Sequence, residues 1–120
     1  MDGKMEVVIV TRHTALVTYL VGMDIFLAAI GGKEVQVRIA GDTPVISHVV
    51  TPAQIAGKVV VGVLPLHLAA LCSAVVEVEL DLPPELRGKE LDLPQIQKYA
   101  RGLRAYRVGR TLAKWFSRPT

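Results

Sequence analysis

The feature that most restricts this chain is a run of four β-branched residues that stops at three polar ones. Val7-Val8-Ile9-Val10 leads directly into Thr11-Arg12-His13, and a helical pattern follows at once. A strand that stays apolar on both faces is covered on both faces, which is the situation of parallel strands in a sheet layered by helices. Two more such runs occupy residues 59–64 and 75–80, although Glu77 and Glu79 leave one face of the last partly in solvent. Strands of this kind separated by helical stretches predict an α/β protein, a small Rossmann-like three-layer sandwich with a mostly parallel sheet. Parallel neighbours are then joined by right-handed crossovers.

The intervening segments fill in this plan. Residues 14–21 read as a helix, with Leu16, Tyr19 and Leu20 at offsets of three and four and Gly22 as its end. Residues 23–30 are apolar throughout and suit either a strand or a helix. After the Gly31-Gly32 turn, Val35, Val37 and Ile39 alternate with Glu34, Gln36 and Arg38. That alternation predicts a half-exposed strand, antiparallel or at an edge. A turn at Gly41-Asp42-Thr43-Pro44 precedes a further strand over 45–50, which places His48 as a core imidazole. Thr51-Pro52 can cap and open a short helical turn that Gly57 closes. Residues 66–74 read as a helix, and residues 83–88 as a loop. Asp92 then caps a last helix opening at Leu93-Pro94, expected over about residues 94–116. A chain of 120 residues suits one domain, 1–120, with one core.

Composition removes several classes of function. No apolar stretch reaches the roughly 18 residues that cross a bilayer. Met1-Asp2-Gly3-Lys4 is too short and polar to open a signal peptide, so no membrane association and a cytoplasmic location are expected. The single cysteine, Cys72, excludes an internal disulfide and a cysteine-cluster metal site, and among Ala and Leu it reads as a buried thiol. The three histidines lack metal-ligand spacing, and no glycine-rich phosphate loop is present. Neither a metal nor a cofactor is expected.

The net charge of +3 conceals a division. Residues 95–120 carry seven bases and no acid, while residues 1–94 carry seven bases and all 11 acids. Opposite signs in the two parts suggest a polyanionic partner, or one part neutralising the other across a fold or dimer interface.

The carboxyl ends of parallel strands form the rim at which α/β proteins bind ligands. Thr11, Arg12 and His13 follow the first strand, His67 follows the second, and Arg87, Gly88 and Lys89 follow the third. If the three strands are parallel neighbours, these groups meet on one rim, a collection of cations and imidazoles suited to phosphate. Helix N-termini after the strands add N–H donors. Arg12 has an alternative role as an ion-pair partner of Asp81 or Glu90. Cations together with a histidine suffice for metal-independent cleavage of an RNA phosphodiester by its own 2′-hydroxyl.

Three segments carry a family resemblance. They are Val10-Thr11-Arg12-His13, the stretch Gly62-Val63-Leu64-Pro65-Leu66-His67-Leu68-Ala69-Ala70, and the stretch Leu82-Pro83-Pro84-Glu85-Leu86-Arg87-Gly88-Lys89-Glu90-Leu91. Together they resemble the Csx-sixteen family of small proteins from type III CRISPR loci, over about residues 6 to 110. The resemblance implies a CARF-like homodimer that degrades cyclic oligoadenylate, with Arg12 and His13 as site residues and Arg87 as a further candidate. The family pattern has Gly-Ala shortly after Arg-His, whereas this chain reads Arg12-His13-Thr14-Ala15-Leu16. Three readings stand open: a ring nuclease, a module that binds the nucleotide without cutting it, and a protein that binds nucleic-acid backbone through the basic C-terminal helix.

Overall fold

The computed structural model describes residues 5–114 and residue 116. Five strands form the main sheet: β1 (Val7–Val10), β4 (Val45–Ile46), β5 (Val59–Gly62), β6 (Ala74–Leu80) and β7 (Ala100–Tyr106). Their order is β4-β1-β5-β6-β7, and the first four are parallel. β7 closes one edge antiparallel to β6. A separate antiparallel pair is made by β2 (Ile25–Ile30) and β3 (Lys33–Arg38). The helices are α1 (Thr14–Met23), α2 (Pro52–Ile55), α3 (Leu66–Ala69) and α4 (Leu93–Tyr99). This is the expected mixed α/β architecture, a mostly parallel sheet with an additional strand pair.

Side-chain parity along the strands builds the layers. Ile9, Val59, Val61 and Val76 are buried on one face of the sheet, in a single cluster with Leu20 of α1 and with Phe26, Ala28 and Val37 of the β2–β3 pair. The opposite parity, Val8, Val60 and Val75, is buried outside that cluster, as are Ile55 of α2 and Ala69 of α3. Each fully buried Val, Leu or Ile contributes about 1.5–3 kcal/mol through removal of apolar area from water.

The alternation in residues 34–39 behaves as its period requires. Val37 is buried, and Glu34, Gln36 and Arg38 face solvent. The ambiguous segment before it resolves to a strand because it pairs along its whole length with β3, Ile25 opposite Arg38 and Ile30 opposite Lys33.

Several elements are shorter than expected. The strand expected over 45–50 ends at Ile46, and His48 is exposed in the loop beyond it rather than lodged in the core. The helix expected over 66–74 stops at Ala69, since the chain must turn into β6 at Ala74. α1 runs through Gly22 to Met23 and ends at Asp24, the one non-glycine residue with positive φ among the described residues. Cys72 is partly buried, and its thiol donates to Leu68 O at 3.6 Å. Burial raises its pKa above the ordinary thiol value.

The largest correction concerns the basic segment. No helix extends over residues 94–116: α4 ends at Tyr99, and residues 100–106 form β7. Asp92 does cap α4, accepting from Gln95 N at 2.9 Å, while Gln95 Oε1 accepts from Asp92 N at 3.0 Å. The helix stops because the open edge of β6 offers an unpaired ladder and a row of acids. Glu77 lies opposite Arg104, and Arg104 Nε reaches Glu79 Oε2 at 2.7 Å. Arg101 reaches Asp81 at 3.6 Å. Gly102, a poor helix former, sits in the strand at φ 153°, a backbone conformation that L side chains rarely adopt. Trp115 of the expected helix, Arg118 of the basic segment, and Met1-Asp2-Gly3-Lys4 lie outside the described residues.

Candidate functional site

The topology sets where a site can form. From β1 the chain proceeds to β4 on one side, and from β5 it proceeds to β6 on the other. The carboxyl ends of β1 and β5 therefore bound a switch point, the place where open α/β sheets bind ligands.

At this point the two strands approach unusually closely. Val10 is in register with Gly62, whose φ is 146°. A Cβ on Gly62 would lie 2.1 Å from the carbonyl oxygen of Val10. Glycine is thus required here by contact and by backbone conformation together. Gly62 was not among the residues singled out from sequence as site candidates, because only the paired strands reveal its neighbour.

Beyond Val10, Thr11 N donates to Ile46 O at 3.1 Å, which ties the β1 exit to the β4 edge. The Thr11 hydroxyl accepts from His13 N at 3.1 Å and so shapes the turn between strand and helix. His13 is the residue before α1, and its carbonyl accepts from Leu16 N at 3.1 Å. No side chain caps α1, in contrast to α4, where Asp92 does. The first N–H groups of α1 therefore open onto the rim beside Arg12 and His13, and both of these side chains are exposed.

The third strand returns to the same place. β6 extends past the end of β5, and residues 81–92 lead back toward α1. His13 Nδ1 lies 3.2 Å from Glu90 Oε2. The Arg87-Gly88-Lys89 turn precedes that contact, with Gly88 at φ 78° and Lys89 N donating to Leu86 O at 3.2 Å. Arg87 and Lys89 are exposed. The alternative pairings proposed for Arg12 do not occur: Asp81 holds Arg101, and Glu90 holds His13. Among the described residues Arg12, Arg87 and Lys89 are in no ion pair.

His67 sits in α3 after β5 and is exposed. His48, read from sequence as a core residue, follows β4 at the same end of the sheet, with Ser47 Oγ 3.4 Å from its Nδ1. The short length of β4 was the signal needed, and apolar residues on both sides of His48 obscured it. Apolar side chains also stand at this rim. Val49, Val63 and Leu66 are 82%, 73% and 74% exposed.

A hollow of about 410 Å³ lies between α1 and α4, lined by Thr18, Tyr19, Gly22, Met23, Leu93 and Gln97. It contains none of the charged rim groups. Among the described residues no three His, Cys, Asp or Glu side chains are grouped to hold a metal ion. None of the described helices is long and apolar enough to cross a membrane.

A family model described as "Putative CRISPR-associated protein (Cas_VVA1548)" matches residues 8–109. The match spans all three strand ends that build the rim. No curated protein and no solved structure matches the chain.

Proposed function

This chain belongs to the CRISPR-associated family Cas_VVA1548, and on that premise we propose that its rim binds a cyclic oligoadenylate, the cyclic tetra-adenylate first, and opens the ring. The resemblance of its three rim segments to the Csx-sixteen family points to the same activity, a ring nuclease that ends antiviral signalling. The observation that carries most weight is the 3.2 Å contact from His13 to Glu90. It brings the β1 exit and the Arg87-Gly88-Lys89 turn to one rim, where Arg12 has no carboxylate partner among the described residues.

In this mechanism a ribose 2′-hydroxyl gives up its proton to water and attacks its neighbouring phosphorus in line. The bond from phosphorus to the 5′ oxygen breaks, leaving a 2′,3′-cyclic phosphate and a 5′-hydroxyl. Arg12 and Arg87 hold the phosphate and neutralise the charge that grows on it. His13 protonates the departing 5′ oxygen, with Glu90 orienting the imidazole. Lys89 and the N–H groups at the start of α1 add to the field. Thr11 and Gly88 shape the two turns, and His67 and His48 supply further imidazoles at the rim. The step needs no metal and no cofactor.

A cyclic ligand with rotational symmetry suits a homodimer, in which each copy offers the same groups to opposite phosphates. Val49, Val63 and Leu66 are the apolar residues that a second copy would cover. Cytoplasmic residence goes with this reading.

The test is incubation of the purified protein with labelled cyclic tetra-adenylate in EDTA. Linear products are expected. An intact ring held tightly would favour the binding module instead, and a ring neither bound nor cut would end the reading.

A further inference from the structure

The basic segment that follows β7 belongs to a different surface from the rim. β7 starts at the rim end, with Ala100 paired to Leu80, and finishes at the opposite end of the sheet, with Tyr106 paired to Val75. Arg107 and the residues after it therefore leave from the amino end of the parallel strands. The charges of the segment also divide. Arg101 and Arg104 are held by Asp81 and Glu79. Arg107, Arg110 and Lys114 are exposed and in no ion pair among the described residues. Arg107 lies against the turn of the β2–β3 pair, its Nη1 3.8 Å from where a Cβ on Gly31 would stand.

We propose that residues 107–114, together with Phe116, form a binding arm for single-stranded RNA, separate from the rim. Residues 107–114 have no helix or strand, and no acid occurs anywhere from 95 to 120. Extended, the three cations stand about 10 and 13 Å apart, a spacing that follows a flexible phosphate chain. Leu112 is 87% exposed and Phe116 is fully exposed, so an apolar face and an aromatic ring accompany the charges. Cations followed by an exposed aromatic can bind a single strand, the cations tracking phosphates and the ring stacking on a base. A lipid surface is the poorer fit, because interfacial binding uses an amphipathic helix and none occurs among the described residues of this segment. A duplex is also the poorer fit, because its bases are stacked on one another and leave none for the Phe116 ring.

The experiment uses the full chain and a fluorescent 12-nucleotide oligouridylate, titrated by anisotropy at several KCl concentrations. The R107A/R110A/K114A variant is expected to lose at least tenfold in affinity. Its slope of log affinity against log salt should fall by about 2, since each phosphate contact on a single strand contributes about 0.7. F116A is expected to lose about tenfold with the slope unchanged. Cyclic tetra-adenylate binding and cleavage should be unaltered in both variants, so a failure of the rim reading would leave this result intact. Equal affinity and slope in the triple variant would overturn the proposal. So would a wild-type protein that ignores oligouridylate at low salt, or that binds phosphatidylserine vesicles in its place.

Discussion

His13 Nδ1 and Glu90 Oε2 stand 3.2 Å apart, joining the exit of β1 to the segment after β6. Both side chains are at least half exposed, 50% and 69%, so the pair contributes at most about 1 kcal/mol to stability. Under the proposed mechanism its role is to orient the imidazole. Glu90→Gln is expected to leave the melting temperature within a few degrees of wild type. The rate of ring cleavage should fall about tenfold with the dissociation constant for the ring unchanged. Thermal melts and single-turnover kinetics check the two parts separately, and a change in binding alone would remove the positioning role.

Substitution of His13 itself should be more severe. His13→Ala is expected to slow cleavage by about 10²–10⁴-fold, the usual contribution of a positioned general acid. Binding of cyclic tetra-adenylate should stay within a few-fold of wild type. Unchanged turnover would place the proton elsewhere, with His48 and His67 the next residues to replace.

Arg12→Ala and Arg87→Ala are expected to act on binding. A hydrogen bond to a charged group is worth about 1.5–3 kcal/mol, so each loss should raise the dissociation constant by tenfold or more. Isothermal titration in the slow-cleaving His13→Ala background isolates that effect. An unaffected dissociation constant for Arg87→Ala would take the residue out of the pocket and leave the turn it occupies as solvated surface.

Gly62→Ala should be strongly destabilising although it adds one methyl group. The new Cβ would press on the Val10 carbonyl at 2.1 Å and force an L residue to φ 146°. A loss of about 2–4 kcal/mol, or failure to fold, is expected, from backbone strain with overpacking added. Urea denaturation followed by circular dichroism measures it. Gly22→Ala is the control: a Cβ there meets nothing within 4 Å, and the helix should tolerate or welcome it.

Cys72 supplies a pH-dependent expectation. Burial raises its thiol pKa in the folded chain, so the protonated form is the one the fold favours. The stability it contributes is fully present below the ordinary thiol range and is lost as pH rises through the raised value. Alkylation by iodoacetamide at pH 8 should be slower than for free cysteine and should reach the free rate in denaturant. Equal rates in both conditions would contradict the burial.

Much of this was readable from residue order. The β-branched runs became β1, β5 and β6, the Gly31-Gly32 turn joined an antiparallel pair, and Asp92 capped a helix. These features depend on branching, alternation and turn chemistry that act within a few residues. The rim candidates likewise followed from the parallel order, since each polar cluster trails a strand. The hidden parts were long-range. His48 looked internal because Val45 and Ile46 precede Ser47 while Val49 and Val50 follow the histidine, and only the two-residue extent of β4 put it in solvent. Residues 100–106 carry arginines at a spacing that suits a helix, yet they pair with β6.

Sequence alone decided that this chain is α/β, which stretches are apolar strands, and where polar groups trail them, because side-chain shape and local turn preference act without a partner. Tertiary structure decided that the basic segment completes a sheet, that Gly62 must admit the Val10 carbonyl, and which arginines are neutralised. A strand's stability lies in the edge it meets and the side chains across from it. An open β6 edge bearing Glu77 and Glu79 is a property of the folded sheet, and it outweighed the local pattern of residues 100–106.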